Sequence, residues 1–337
     1  MERPITNSLN LVEVLTVAGR LGPELRARAE QVLQARAAEL DGPLDRALMP
    51  QAVALHAAAA ASASGNEESV PQIIAQQSRL CVLFKPPGWT VSVIKEEDQE
   101  EIYVGGDGPS EHRYTRSMIN NDIKQREGGA LQGWLMSVLG ADFKIAFDVN
   151  RAHGLVHRLD RDTSGAILWA HSYDGYFAAR LQFAARSVRK HYVCLCSGFM
   201  QHSKRFFEAP LLETDPSDPA TISVVAANGR PARTEVLDIK HLVCPPKRSL
   251  SLVEVSLHTG RRHQIRAHMA AEGHALIGDA AYGGSSEAWC PRIFLHAHRF
   301  GINIGDGLIC TSVPIPADLC QALSYLHSTD ISSRTQT

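Results

Sequence analysis

The spacing of apolar residues along this chain predicts most of its elements. Pro23 opens a segment in which Leu25, Ala29, Val32, Leu33 and Leu40 fall on one helical face, and Asp41-Gly42-Pro43 stops it. A second helical stretch, over 52–61, runs into Ser62-Ala63-Ser64-Gly65-Asn66-Glu67-Glu68-Ser69, whose composition is that of a linker. The run Leu80-Cys81-Val82-Leu83-Phe84, followed by Lys85 and the stop Pro86-Pro87-Gly88, predicts a buried strand ending in a rigid turn. Residues 95–128 are acidic, Gly-rich and without periodicity, as a surface insertion would be. Leu131, Trp134, Leu135, Val138 and Leu139 then mark an amphipathic helix.

Beyond it, Ala166-Ile167-Leu168-Trp169-Ala170 is a buried strand, and Tyr173, Phe177, Leu181 and Ala184 recur at helical spacing. Aromatic and β-branched content makes 190–196 a strand, and similar runs occupy 221–226, 234–243 and 250–257. Asn228-Gly229-Arg230-Pro231 supplies the turn between the first two of these. Strands and helices grouped without strict alternation predict an α+β fold with a mixed, mostly antiparallel sheet. The expected organisation is a helical N-terminal extension and linker over 1–75 and a main domain over 76–330. A chain beginning near Gln72 is expected to fold alone.

Composition narrows the class. The chain has 337 residues, 44% hydrophobic and 21% charged, which is ordinary for a globular protein and long enough for a large core. It contains no apolar run of the length that spans a membrane, so no membrane partner is expected. The cysteines at 81, 194, 196, 244, 290, 310 and 320 are odd in number and include no Cys-x-x-Cys pair. A disulfide framework or zinc ribbon is therefore not expected, and reduced thiols place the chain in an intracellular compartment. The cytoplasm is the expected location. Organelle targeting stays open, although Glu2, Glu13, Glu24, Glu30 and Glu39 run against the acid-poor pattern of a transit peptide. A monomer is the default expectation.

Net charge is −2, but it is segregated. Residues 151–206 hold nine Lys and Arg against three acids, whereas 95–127 hold five against nine. The basic part surrounds the densest polar stretch of the chain, His157-Arg158-Leu159-Asp160-Arg161-Asp162-Thr163-Ser164-Gly165, which empties into the buried strand at 166. A loop so placed is where a site belongs. Taken without further context it reads better as a solvated turn, with Asp162, Thr163 and Ser164 bonding local amides.

Histidine richness raises a metal reading, with His258, His263, His268, His274, His296 and His298 joined by Asp279 as candidate ligands of a hydrolase. Metal helices favour an i, i+4 pair, whereas 258, 263 and 268 step by five and cannot share a helix face. No metal is expected, and these histidines are expected to cap turns and bridge backbone groups.

The central stretch His157-Arg158-Leu159-Asp160-x-x-Thr163-Ser164-Gly165 resembles the motif of the RluA-type RNA pseudouridine synthases. The resemblance recurs in order over roughly the last three quarters of the chain. Lys85-Pro86-Pro87-Gly88 looks like the strand that opens the family's domain, Lys190-His191-Tyr192 like its Lys-x-Tyr strand, and Gly229-Arg230-Pro231-Ala232-Arg233-Thr234 like its Gly-x-x-Ala-x-Thr step. Thr259-Gly260-Arg261-Arg262-His263-Gln264-Ile265-Arg266-Ala267-His268 resembles a further motif, continued by Gly278-Asp279-x-x-Tyr282-Gly283 and Phe294-Leu295-His296-Ala297. Arg262 departs from the threonine usual there.

The resemblance implies an enzyme that isomerises uridine to pseudouridine in ribosomal, transfer or messenger RNA, without cofactor or metal. It implies Asp160 as the catalytic carboxylate, Arg266 as its ionic partner, and Tyr192 stacked on the uracil, where it helps remove the C5 proton. Arg158 would fill the space left by a flipped base, and His157, Thr163, Arg261, His263 and Gln264 would complete the RNA- and base-binding set. The alternative is an RNA-binding protein of the same fold with little or no activity. Retention of Asp160, Tyr192 and Arg266 together favours the enzyme, because binding alone requires none of them.

Overall fold

The computed structural model of the chain describes residues 3–41, 69–77, 79–91, 129–215 and 221–329. The helix expected over 52–61, most of the linker after it and the insertion expected over 95–128 lie outside the described residues. In chain order the elements begin with helices α1 (Arg3–Val17) and α2 (Pro23–Leu40), strands β1 (Gln72–Gln76) and β2 (Leu80–Lys85), and helix α3 (Leu131–Leu139). Then come β3 (Ser164–Ala170), α4 (Tyr173–Ala184), β4 (Arg189–Ser197), β5 (Phe206–Phe207), β6 (Leu211–Glu213), β7 (Ser223–Val225), β8 (Thr234–Cys244) and β9 (Arg248–Leu257). Helix α5 (Gln264–Ala271), β10 (Leu295–Asn303), β11 (Leu308–Ser312), α6 (Ala317–Ser324) and β12 (His327–Ser328) follow.

The chain divides into two compact units. One holds Met1–Arg161, Ala166–Val188 and Gly301–Thr311; the other holds Asp162–Gly165, Arg189–Phe300 and Ser312–Thr337.

In the first unit β2 is buried along its whole length, as an apolar run closed by Pro-Pro-Gly should be. It pairs antiparallel with β1 and neighbours β3, which is also buried throughout. Helix α2 starts with Pro23 in its first turn and ends at Leu40, as its pattern predicts. Its buried residues are Ala29, Leu33 and Ala37, one per turn, while Val32 faces outward. The buried stripe is thus narrower than the leucine pattern indicated, and its alanines permit close packing of α2 against α4. Helix α1 also packs there, burying Leu9 and Val12.

Asp41, just past α2, caps α4. Its carboxylate accepts the backbone N–H groups of Tyr173 and Asp174 at 3.1 and 2.9 Å, and Ser172 Oγ accepts that of Gly175 at 3.1 Å. Residue 175 must be glycine for the helix to start where it does, since a Cβ there would lie 2.4 Å from the carbonyl oxygen of Arg79. Among the described residues no helix is long and apolar enough to cross a membrane.

The second unit holds the mixed, mostly antiparallel sheet expected from the grouping of elements. Strands β8 and β9 form a long antiparallel hairpin from Thr234↔Leu257 to Cys244↔Arg248, and β9 continues antiparallel onto β4. Strand β10 neighbours β4 on the other side, and its His296 and Ala297 pair in parallel with Ser164 and Gly165 at the start of β3. Gly165 has φ +123°, and a Cβ there would lie 2.3 Å from the carbonyl oxygen of Ala297, so this parallel contact admits only glycine. Leu195, Leu250, Ile277, Phe294 and Leu319 fill one core cluster beneath the sheet. Strands β6 and β7 make a separate antiparallel pair, and β7 packs against α5.

Candidate active site

The segment 157–161 belongs to the first unit. Arg158 is exposed, Leu159 buried and Asp160 half-buried, so the loop anchors itself with an apolar side chain and leaves its carboxylate at the surface of the unit. His157 is directed inward. Its Nε2 accepts the backbone N–H of Leu168 at 2.9 Å, and its ring stacks on Phe183 with centroids 5.1 Å apart. The imidazole therefore stitches the loop to the edge of β3.

Just after Asp160 the backbone is held by a buried cation. Lys85 ends β2 with no exposed surface, and its ammonium donates to the carbonyls of Pro86, Trp89 and Arg161, each at 2.9 Å. An ammonium has three protons to place, and three carbonyls offset the desolvation that burying its charge would otherwise cost. The N–H of Gly88 reaches the same Arg161 carbonyl at 2.9 Å. The strand read from its apolar run thus delivers a lysine whose task is to fix the peptide following Asp160.

In the second unit Arg292 does the same for the next peptide. Its Nη1 donates to the carbonyl of Asp162 at 3.1 Å, its Nη2 to Ser164 Oγ at 3.0 Å, and its Nε to Asp318 Oδ2 at 2.5 Å. Ser164 in turn donates to Nδ1 of His296 at 2.9 Å, while Nε2–H of that histidine donates to the carbonyl of Val313 at 3.3 Å. Burial pushes the His296 pKa down to about 4, which keeps the imidazole neutral and fits one accepting and one donating nitrogen. Thr163 is buried, and its hydroxyl has no hydrogen-bond partner among the described residues.

Arg266 is buried on α5, and its guanidinium fork closes on Asp279, with Nε and Nη2 each 2.8 Å from a different carboxylate oxygen. Asp279 has no exposed surface. The guanidinium also lies over the ring of Tyr282, 4.9 Å from its centroid. The Tyr282 hydroxyl accepts from Ser223 N–H at 2.9 Å, donates to Ser223 O at 2.8 Å and lies 3.2 Å from His263 Nδ1. Sequence reading assigned Arg266 to Asp160 and placed Asp279 both among candidate metal ligands and in the motif Gly278-Asp279-x-x-Tyr282-Gly283, without a role beside Arg266. The structure makes Asp279 and Tyr282 the residues that orient this arginine.

Gln264 is a buckle. Its Oε1 accepts from Thr259 Oγ1 at 2.6 Å and Arg261 N–H at 3.0 Å, and its Nε2 donates to Arg233 O and Thr234 Oγ1, both at 3.0 Å. Arg261 reaches the carbonyl of Pro231 at 3.1 Å, so the 259–264 turn is tied to the start of β8. His263, at the N-cap of α5, has φ +52°, a left-handed conformation that costs a non-glycine residue energy and is sustained by these surrounding bonds. Tyr192 is buried on β4 opposite Val255.

The six histidines weighed as metal ligands have separate partners. His258 bonds Glu235, His268 bonds Thr234 and the carbonyl of Ala209, and His274 bonds the carbonyl of Ser197. His263 and His296 have the contacts given above, and His298 bonds Glu254. Arg261, His263, Gln264 and Arg266 share one turn and helix of the second unit, to which Thr163 and Tyr192 also belong, while His157, Arg158 and Asp160 lie in the first. Arg292, Asp318 and the buried role of Lys85 were not read from sequence. Only Lys85 carried a signal, as the one charge at the end of an apolar run.

A family model described as RNA pseudouridylate synthase matches residues 134–271. An uncharacterized RNA pseudouridine synthase of Bacillus subtilis is 38% identical over 166 residues, covering 49% of this chain and 53% of that protein. A ribosomal large subunit pseudouridine synthase D of Nitrosomonas europaea is 33% identical over 216 residues, covering 61% and 60%. The chain spans between about half and three fifths of the length of these curated relatives. The solved structure of human RNA pseudouridylate synthase domain containing 1 superposes with a TM-score of 0.54 at 20% identity, covering 79% of this chain and 91% of that one, which shows a shared fold.

Proposed function

We infer that this chain, which belongs to the RNA pseudouridylate synthase family through residues 134–271, isomerises uridine to pseudouridine in structured RNA with Asp160 as the reacting carboxylate. The observation that carries the reading is the treatment of the backbone after Asp160. Two cations, buried Lys85 in the first unit and partly buried Arg292 in the second, hold the carbonyls of the two residues that follow it. A solvated turn needs no such support, whereas a group that must meet a sugar carbon in one geometry does.

The reaction breaks the N-glycosidic bond, turns the freed uracil and joins its C5 to the same sugar carbon, with the C5 proton leaving for solvent and N1 taking up one proton in its place. Atoms and electrons balance without an oxidant or metal. In a duplex or stacked loop the bond is hidden, so the nucleotide must be flipped out at a cost of a few kcal/mol. Asp160, half-exposed at the end of a fixed loop, then acts as nucleophile or base toward the sugar or the ring. Arg266 supplies fixed positive charge on α5, Tyr192 an aromatic face and hydroxyl, and exposed Arg158 a side chain for the gap in the RNA. The basic stretch over 151–206 contacts phosphate.

The test uses RNA labelled with tritium at uridine C5. The full chain should release tritium, and Asp160→Asn should release none while holding RNA with unchanged salt dependence in a filter-binding titration. Release by Asp160→Asn at the rate of the unaltered chain would remove Asp160 from the chemistry. Binding without release by the unaltered chain on any cellular RNA pool would favour an RNA-binding protein of the same fold.

A further inference from the structure

Three adjacent strands of the second unit, β10, β4 and β9, bring His298, His191 and Glu254 together. His298 Nε2 lies 2.9 Å and His191 Nδ1 3.4 Å from the same oxygen, Oε1 of Glu254, and the three potential ligand atoms all lie within 4.8 Å of one another. His191 Nδ1 is buried and has no hydrogen-bond partner among the described residues, because its approach to Glu254 lacks hydrogen-bond geometry. A buried ring nitrogen left in that state is costly, and a ligand that takes its lone pair removes the cost.

We propose that His191, Glu254 and His298 form a binding site for a divalent transition-metal ion of the zinc class. The donor set, two imidazoles and one carboxylate, is one that zinc accepts, leaving a further position for water. Zinc–nitrogen bonds of about 2.0–2.1 Å place two ligands on a tetrahedral ion roughly 3.3 Å apart. The distance of 3.4 Å already meets that, and the contact of 2.9 Å needs to open only slightly. The ligands sit on rigid strands, in register positions fixed by the ladder, where Glu254 faces Val193 and His191 faces Ser256. Side chains alternate along a strand, so His191 and Tyr192 lie on opposite faces of the sheet. The metal site is therefore separate from the face that carries Tyr192, and its occupation ties three strands together behind it.

One neighbouring charge opposes the ion. Arg299 Nη1 is 3.9 Å from the same Glu254 oxygen, but the side chain is 56% exposed and can swing into solvent when the ion enters. That makes a gain-of-affinity test available.

The full chain, stripped with chelator, is titrated with zinc chloride by calorimetry and with cobalt chloride by visible absorption. Saturable one-to-one binding is expected, with cobalt bands of a low-coordinate site and a thermal midpoint that rises with zinc. His191→Ala, His298→Ala and Glu254→Gln should each weaken binding by about tenfold or more, and Arg299→Gln should tighten it. The chain has 15 histidines and 7 cysteines, so zinc binding that these variants do not weaken belongs to other residues and overturns the site. Absence of saturable binding overturns it as well. Should the ligand variants fail to fold, Arg299→Gln decides, since unchanged or weaker binding in that variant contradicts the assignment.

Discussion

Lys85, which has no exposed surface, donates its ammonium at 2.9 Å to the carbonyl of Arg161, the residue next to Asp160. The contact makes β2 a support for the proposed catalytic loop. Lys85→Met keeps the length and apolar stem but leaves the carbonyls of Pro86 and Trp89 without this donor. Each unsatisfied buried carbonyl costs about 1–3 kcal/mol, so a lower urea midpoint is expected. Turnover should fall about a hundredfold through misplacement of Asp160, with little change in KM. A variant that loses stability but keeps its turnover would show that Lys85 serves the fold alone.

Arg266→Lys retains the charge on α5 and loses the fork that now meets both oxygens of Asp279. Turnover is expected to fall about a hundredfold with RNA affinity nearly unchanged. Asp279→Ala should be worse for the fold than for binding, because it strands a buried guanidinium at a cost of about 3–5 kcal/mol. Denaturant titration and single-turnover kinetics on both variants check this. Normal turnover in Arg266→Lys would take Arg266 out of the site.

A chain shortened to begin at Gln72 loses the Asp41 cap of α4 and the packing of Leu9, Val12 and Leu33. The cap alone contributes about 1 kcal/mol and the apolar side chains more. The shortened chain should fold but melt about 5 °C or more below the full one. An unchanged melting temperature would mean that the helices contribute nothing, and aggregation would mean that they are part of the core.

Burial lowers the pKa of both His171 and His296 to about 4, against about 6.5 in the unfolded chain. The native state keeps them neutral while the unfolded state takes up their protons, so stability is complete above about 6.5 and is lost as pH falls toward 4. Each contributes on the order of 3 kcal/mol across that window. Urea midpoints measured from pH 7.5 to 4.5 should decline, and less steeply in His296→Gln. An equal slope in that variant would show that His296 is already protonated in the native state.

The linear pattern of the chain determined its elements. A five-residue apolar run before Pro-Pro-Gly could only be a buried strand, and β2 is one. The repeat of small and apolar residues after Pro23 specified a helix ending at Leu40. Asp160, Tyr192 and Arg266 became candidates through the resemblance of the short motifs around them to those of the synthase family. These features are local, set by side-chain periodicity and turn chemistry within a few residues, and sequence records them directly.

What supports the candidate residues was decided by tertiary structure. Lys85 and Arg161 are 76 residues apart, Arg292 and Asp162 are 130 apart, and Asp41 and Tyr173 are 132 apart. Even Arg266 and Asp279, only 13 apart, meet because α5 and the following turn fold back on each other. A buried charge accepts whichever partner packing brings within about 3 Å, since leaving it unpaired costs more than any local preference can offset. Which arginine meets which carboxylate therefore follows from how strands and helices pack, and no spacing along the chain encodes it.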